Sequence, residues 1–159
     1  MSELPDKRID ENAIKAWKIT AAIWSAFLFV IPGGLYAIYE FGDLPVIYPI
    51  IAGPVSVLLY TIIVFVLPKF RWKRWYYDVD EQAVDMLRGI IFRKRTLVPV
   101  NRIQHVDTKQ GPIYRKFGLS SINISTAATT HEIPALDEET ATQLRNNISE
   151  LVRRVKEDV

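Results

Sequence analysis

Between Ile19 and Pro68 the chain has no lysine or arginine, and its only charges are Glu40 and Asp43. Two uncharged apolar runs fill this stretch, residues 19–39 and 44–67. An α-helix rises ~1.5 Å per residue, so ~20 residues cross a ~30 Å hydrocarbon core. A helix buried in a soluble protein normally keeps a polar face. Runs that are apolar all round point instead to two membrane spans, with a pair of buried core helices as the bland alternative. The short turn 40–43, Glu40-Phe41-Gly42-Asp43, requires the two helices to run antiparallel. The expected unit is a transmembrane hairpin over 19–67. The leader mixes Asp6, Lys7, Arg8, Asp10 and Glu11, and a second span follows at once, which separates the first run from a secretory signal.

Charge sets the expected orientation. Lys7, Arg8, Lys15 and Lys18 precede the first span; Lys69, Arg71, Lys73 and Arg74 follow the second; the turn has no basic residue. The positive-inside rule then places the 1–18 segment and the C-terminal part in the cytoplasm of a bacterium, with the protein multi-pass in the plasma membrane. Trp17, Lys18, Lys69, Arg71, Trp72 and Trp75 are the expected anchors at the inner membrane interface, and Tyr39 and Phe41 suit the outer one. Pro32-Gly33-Gly34, Pro49 and Gly53-Pro54 interrupt the spans. A backbone group freed in lipid needs a partner, so kinked helices packed at small residues are expected. A substrate path is the sharper alternative, but no ionisable residue lies inside either run.

Residues 70–159 are enough for one small domain. Trp75, Tyr77 and Val79 alternate with Arg74, Tyr76 and Asp78, which reads as a strand within 71–80. Further strands are expected over 83–89, 91–100, 102–109, 119–126 and 130–136. In the third, Phe92, Thr96, Val98 and Val100 share a face, with Arg93 and Arg95 opposite. Ile103 and Val106 have opposite parity, which hints at a bulge. Asp137 is a good N-cap, and Ala141, Leu144, Ile148, Leu151, Val152 and Val155 form a helical stripe. The expected fold is mainly β, an antiparallel sheet or partly open barrel, covered by one C-terminal α-helix in a pleckstrin-homology-like arrangement.

The formal charge of +2 gives no case for nucleic acid, and the absence of cysteine removes disulfides, thiolate metal sites and a cysteine nucleophile. His105 and Asp107 lie two apart and share a strand face, but no third ligand follows at a recognisable spacing, so no metal is expected. A triad can be drawn on paper from Ser120, Ser121 or Ser125, without a nucleophile elbow. Gly111-Pro112 reads as a corner, followed by one helical turn ending at Gly118, with Ile113 and Phe117 inward and Arg115 and Lys116 outward. Beside that structural explanation stands a functional one: Arg102, Gln104, His105, Arg115 and Lys116 form a contact patch for a protein or an anionic headgroup.

The segment 102–136 carries Arg102-Ile103-Gln104-His105-Val106, Gln110-Gly111-Pro112, Arg115-Lys116-Phe117-Gly118-Leu119 and Ser125-Thr126-Ala127. With two preceding spans and a closing helix, it resembles the signature of the bacterial membrane-flanked pleckstrin-homology (bacterial PH) domain family. The resemblance implies a PH-like domain at the inner face of the plasma membrane and brings no catalytic residues or cofactor. It implies a part in envelope maintenance or antimicrobial resistance, and a membrane-protein partner, with a longer relative bearing tandem copies of the domain as the candidate. Non-specific attraction to the anionic inner leaflet is expected, and a homo-oligomer is left open. One departure from eukaryotic lipid-binding relatives matters. Asp78, Asp80, Glu81 and Asp85 occupy the first hairpin and would repel phosphates there. The expectation is a non-catalytic interaction module. An accessory subunit for lipid or small-molecule transport is the alternative, and a membrane-bound hydrolase using His105 comes after it.

Overall fold

The computed structural model describes residues 5–157. Residues 1–4 of the N-terminal segment and 158–159 of the C-terminal domain lie outside them. The chain forms two compact units, one spanning residues 17–70 and the other joining residues up to 16 with those from 71 onward.

The first unit is a helical hairpin. Its helices belong to continuous helical stretches, Asn12–Phe41 and Ile47–Lys73. Only 6% and 11% of their most apolar windows are buried, where a soluble core helix would be mostly covered. Trp24, Phe27, Val30, Ile50 and Leu58 are all more than half exposed. The turn falls at residues 42–46 rather than 40–43. Glu40 stays helical and accepts a hydrogen bond from the Tyr36 hydroxyl one turn back, and Gly42 is extended.

Proline shapes both helices. Pro32 lacks the N–H that would bond the Leu28 carbonyl, and its ring crowds that group. The backbone tightens into a 3₁₀ turn over Ala26–Phe29. The freed Leu28 oxygen accepts a hydrogen bond from Ser56 Oγ of the opposite helix at 3.3 Å. Ser56 is 6% exposed, so a small polar residue at the helix contact satisfies the backbone group that the proline releases. In the second helix a π segment, Ile62–Val66, precedes Pro68 and closes with Leu67 N–H on the Ile62 carbonyl. Pro49 falls within the first turn of its helix and breaks nothing.

The second unit holds two antiparallel sheets. One has the order β1 (Lys7–Arg8), β2 (Tyr76–Val79), β3 (Ala83–Arg88), β4 (Lys94–Pro99). The other has the order β5 (Ile103–Lys109), β6 (Leu119–Thr126), β7 (Thr130–Asp137). A closing helix, Glu138–Glu157, packs along β5, β6 and β7. Asp137 Oδ2 caps it by accepting from the Glu139 and Thr140 N–H groups. Val84, Val98, Val100, Ile103, Ile122, Ile124, Ile133 and Ile148 are at most 3% exposed and form the core. Ala141 and Leu144 lie on the buried face of the helix with Ile148. Two antiparallel sheets and one C-terminal helix make this a PH-like domain.

Three expectations need correction. Part of the segment 1–18 belongs to the domain: Lys7 pairs with Tyr77 and Arg8 with Tyr76. Ile9 is 2% exposed, and the Asp10 N–H donates to the Ala135 carbonyl. Next, helix continues to Lys73, so the first strand after the hairpin starts at Tyr76. Finally, Phe92 does not join the face of Val98 and Val100. The chain turns at Gly89, β4 begins only at Lys94, and Phe92 is 86% exposed.

Candidate functional site

The candidate patch begins at a bulge. Ile103 pairs with Thr126 and His105 with Ser125, so the register shifts between them and Gln104 is left over. The bulge turns Ile103 into the core at 1% exposure and leaves Gln104 and His105 outward. Arg102 precedes it in a 3₁₀ turn, Val100–Arg102. Arg102 and Gln104 line a cleft of about 760 Å³ together with His131, Lys156, Leu97 and the 126–129 turn. Among the described residues no carboxylate lines it, and its charged side chains there are basic.

His105 faces a smaller hollow of about 210 Å³ beside Val106, Ser149 and Val152. Its Nε2 lies 2.7 Å from Asp107 Oδ1, and both side chains are more than half exposed. His105 therefore faces outward. A contact so open to water contributes little to stability. Arg115 and Lys116 are exposed on the short helix Pro112–Lys116, beyond the far end of β5. At ~3.4 Å per strand residue, the length of β5 separates them from Arg102 by roughly 20 Å. The five patch residues thus form a strip along the edge strand of the second sheet, and no single cluster holds them all.

Much of the 102–119 signature is structural. The Gln110 side-chain amide donates to the Leu119 carbonyl at 2.9 Å and ties the corner shut. Pro112 starts the short helix, while Ile113 and Phe117 are half-buried. Gly118 takes φ +63° and its carbonyl accepts the Glu138 N–H, which joins the corner to the closing helix. Gly111 is ordinary extended backbone, and an added Cβ there would meet nothing within 4 Å, so the corner does not require glycine at that position.

Of the three serines only Ser125 stands beside His105, opposite it in the β5–β6 register, and its hydroxyl bonds that of Thr130 at 3.1 Å. Ser120 and Ser121 are 5% and 2% exposed. Among the described residues, no three or more His, Asp or Glu are grouped to hold a metal ion.

The aromatic anchors are placed differently from expectation. Trp75 is 3% exposed and belongs to the domain interior. Trp17 is 7% exposed. The Trp72 indole N–H donates to the Ile9 and Asp10 carbonyls, and its ring carries the Arg8 guanidinium 5.5 Å away. Trp72 itself stays half-exposed. Lys69 and Arg71 are exposed, and Lys18 lies over the Phe65 ring at 5.5 Å.

His131 was visible in the sequence only as a second histidine. It stands on β7, opposite Ile124, and β6 separates its strand from that of His105. Burial first, then the charges of Arg88 and Lys94, lower its pKa below the ordinary 6.5. The unfolded chain therefore takes up a proton first as pH falls. This part of the stability is complete above about pH 6.5 and is lost below it, towards the folded-state pKa. His131→Gln is expected to flatten the fall in melting temperature between about pH 7 and 5. Parallel curves for the two proteins would contradict this.

An exposed apolar helical hairpin joined to a PH-like β domain defines a membrane protein with a PH domain. The chain belongs to the family described as Bacterial PH domain, which matches residues 21–152. It is 39% identical over 159 residues, the whole of both chains, to the UPF0699 transmembrane protein YdbS of Bacillus subtilis (strain 168). No solved structure matches the chain.

Proposed function

We propose that the chain is a non-catalytic interaction module, anchored by two membrane-crossing helices at the inner face of a bacterial plasma membrane. Both termini lie in the cytoplasm in this reading. It follows from the basic flanks on either side of the hairpin and from a connecting turn with no basic residue. The module acts within an envelope-maintenance or antimicrobial-resistance complex, and its partner is a membrane protein, with a longer relative carrying tandem PH-like domains as the first candidate.

The observation that carries the proposal is the exposed strip from Arg102 and Gln104 through His105 to Arg115 and Lys116, opening at one end into the basic cleft. Gln104 and His105 sit on an edge strand, with Arg102 just before it and Arg115 and Lys116 beyond its far end, and an edge strand can accept an added strand from a partner. Anchoring supplies the mechanism. A domain confined near the bilayer meets a membrane-bound partner at a high effective concentration, so modest contacts suffice.

Photo-crosslinkers at Arg102 and Arg115 of the full chain, activated in its own membranes, test this reading. The expected product at both positions is one membrane protein of defined mass. Adducts to lipid alone, or none at either position, would overturn the patch as a protein contact.

A further inference from the structure

Away from the patch, the turn between β3 and β4 carries the largest apolar exposure of the domain. Ile91 is 83% exposed and Phe92 86%. The turn is held in shape: Gly89 adopts φ +130°, and the Arg74 guanidinium donates to the Ile90 carbonyl at 2.7 Å. Cations surround the apolar tip. Arg88 and Lys94 face each other across its base in the β3–β4 register, and Arg93 follows the tip; all three are exposed. The acids lie towards the other end of the sheet. Asp78 pairs opposite Asp85, and Asp80 and Glu81 follow in the β2–β3 turn.

We propose that the 89–93 turn inserts Ile91 and Phe92 into the surface of an anionic lipid leaflet, with Arg88, Arg93 and Lys94 against its phosphates. Two exposed apolar side chains within a cationic collar match the layering of such a surface, headgroup charge outside and acyl chain beneath. The chain also brings a bilayer within reach. Arg74, which holds the turn, follows directly on Lys73, the last residue of the second apolar helix. The proposal rests on the reading that this helix crosses the membrane, and it adds a second, reversible point of attachment. That attachment would limit which faces of the domain remain free for a partner.

The absence of cysteine makes single-site labelling direct. The full chain is placed in nanodiscs of phosphatidylglycerol or of phosphatidylcholine, with an environment-sensitive fluorophore on Phe92→Cys, Ile91→Cys, Glu81→Cys or Leu58→Cys. A lipid-borne nitroxide is the quencher. The labels at 91, 92 and 58 are expected to be quenched in anionic discs and the label at 81 to remain bright. Arg93→Ala with Lys94→Ala is expected to lower the docked-to-undocked ratio on the order of 30-fold at position 91, from ~1 kcal/mol per cation near the leaflet. A bright label at 91 and 92 with quenching at 58 would overturn the insertion and leave the anchor intact. A bright label at 58 would sink both. Shielding of 91 and 92 from aqueous iodide without lipid quenching would mean that protein covers the tip, and it would also overturn the proposal.

Discussion

Ile148→Asp is expected to unfold the PH-like domain. Ile148 is 0% exposed, on the face of the closing helix that also buries Ala141 and Leu144. Truncating such a side chain to alanine costs ~2–5 kcal/mol through lost transfer energy and the cavity left behind. A carboxylate there adds the desolvation of a charge buried on an apolar face. Domain stabilities are ~5–15 kcal/mol, so the sum removes most or all of the margin. In detergent micelles, limited proteolysis of the full chain should degrade the region after residue 71 and spare the hairpin. Ile148→Ala should show a lowered melting temperature with the domain still folded. Native-like protease resistance of the aspartate variant would mean that the helix does not depend on this face.

Gly89→Ala is the second large effect. Its φ of +130° is costly for any residue with a Cβ, and here the added carbon would lie 1.8 Å from the Phe92 carbonyl oxygen. The turn must open, at an expected cost of about 3 kcal/mol, since backbone strain and a clash with main chain act together. Gly118 provides the contrast. Its φ is +63°, but an added Cβ would meet nothing within 4 Å. Gly118→Ala should therefore cost only ~1–2 kcal/mol, the strain of the left-handed conformation itself. Thermal unfolding of the two variants side by side reads the difference. Equal losses would show that the contact at Gly89 relaxes freely.

The repetitive parts of the fold were legible in the sequence because local signals agreed there. The strand expected over 119–126 is observed as Leu119–Thr126, bounded by Gly118 and the 127–129 turn. The closing helix has both its cap and its stripe. Trp75 shows what happens when two signals conflict. Its nearness to an apolar helix suggested a membrane interface, while its alternation with Tyr77 suggested the inner face of a strand. Periodicity was the better guide, since Trp75 and Tyr77 are 3% and 4% exposed. Phe92 failed in the opposite sense. Alternation was extended through a turn, where it has no meaning.

Strand β1 had no local signal. Lys7 and Arg8 are two charged residues, and what makes them a strand is a pairing with Tyr76 and Tyr77 far along the chain. The site divides in the same way. Exposure of Arg102, Gln104, Arg115 and Lys116 follows from a polar run within one strand and one turn. His131 and Lys156 reach the cleft from β7 and the closing helix, and only the topology brings those elements to Arg102.

The pairing of β1 with β2 changes what kind of insert the hairpin is. The polypeptide enters the first apolar helix from one strand and returns from the second next to the neighbouring strand, so the hairpin is an excursion out of the domain rather than a leash in front of it. A peptide starting at residue 70 would lack the edge strand and Ile9, and would bare the underside of Trp72. A single protease nick at residues 42–46 would leave each half still gripping the other.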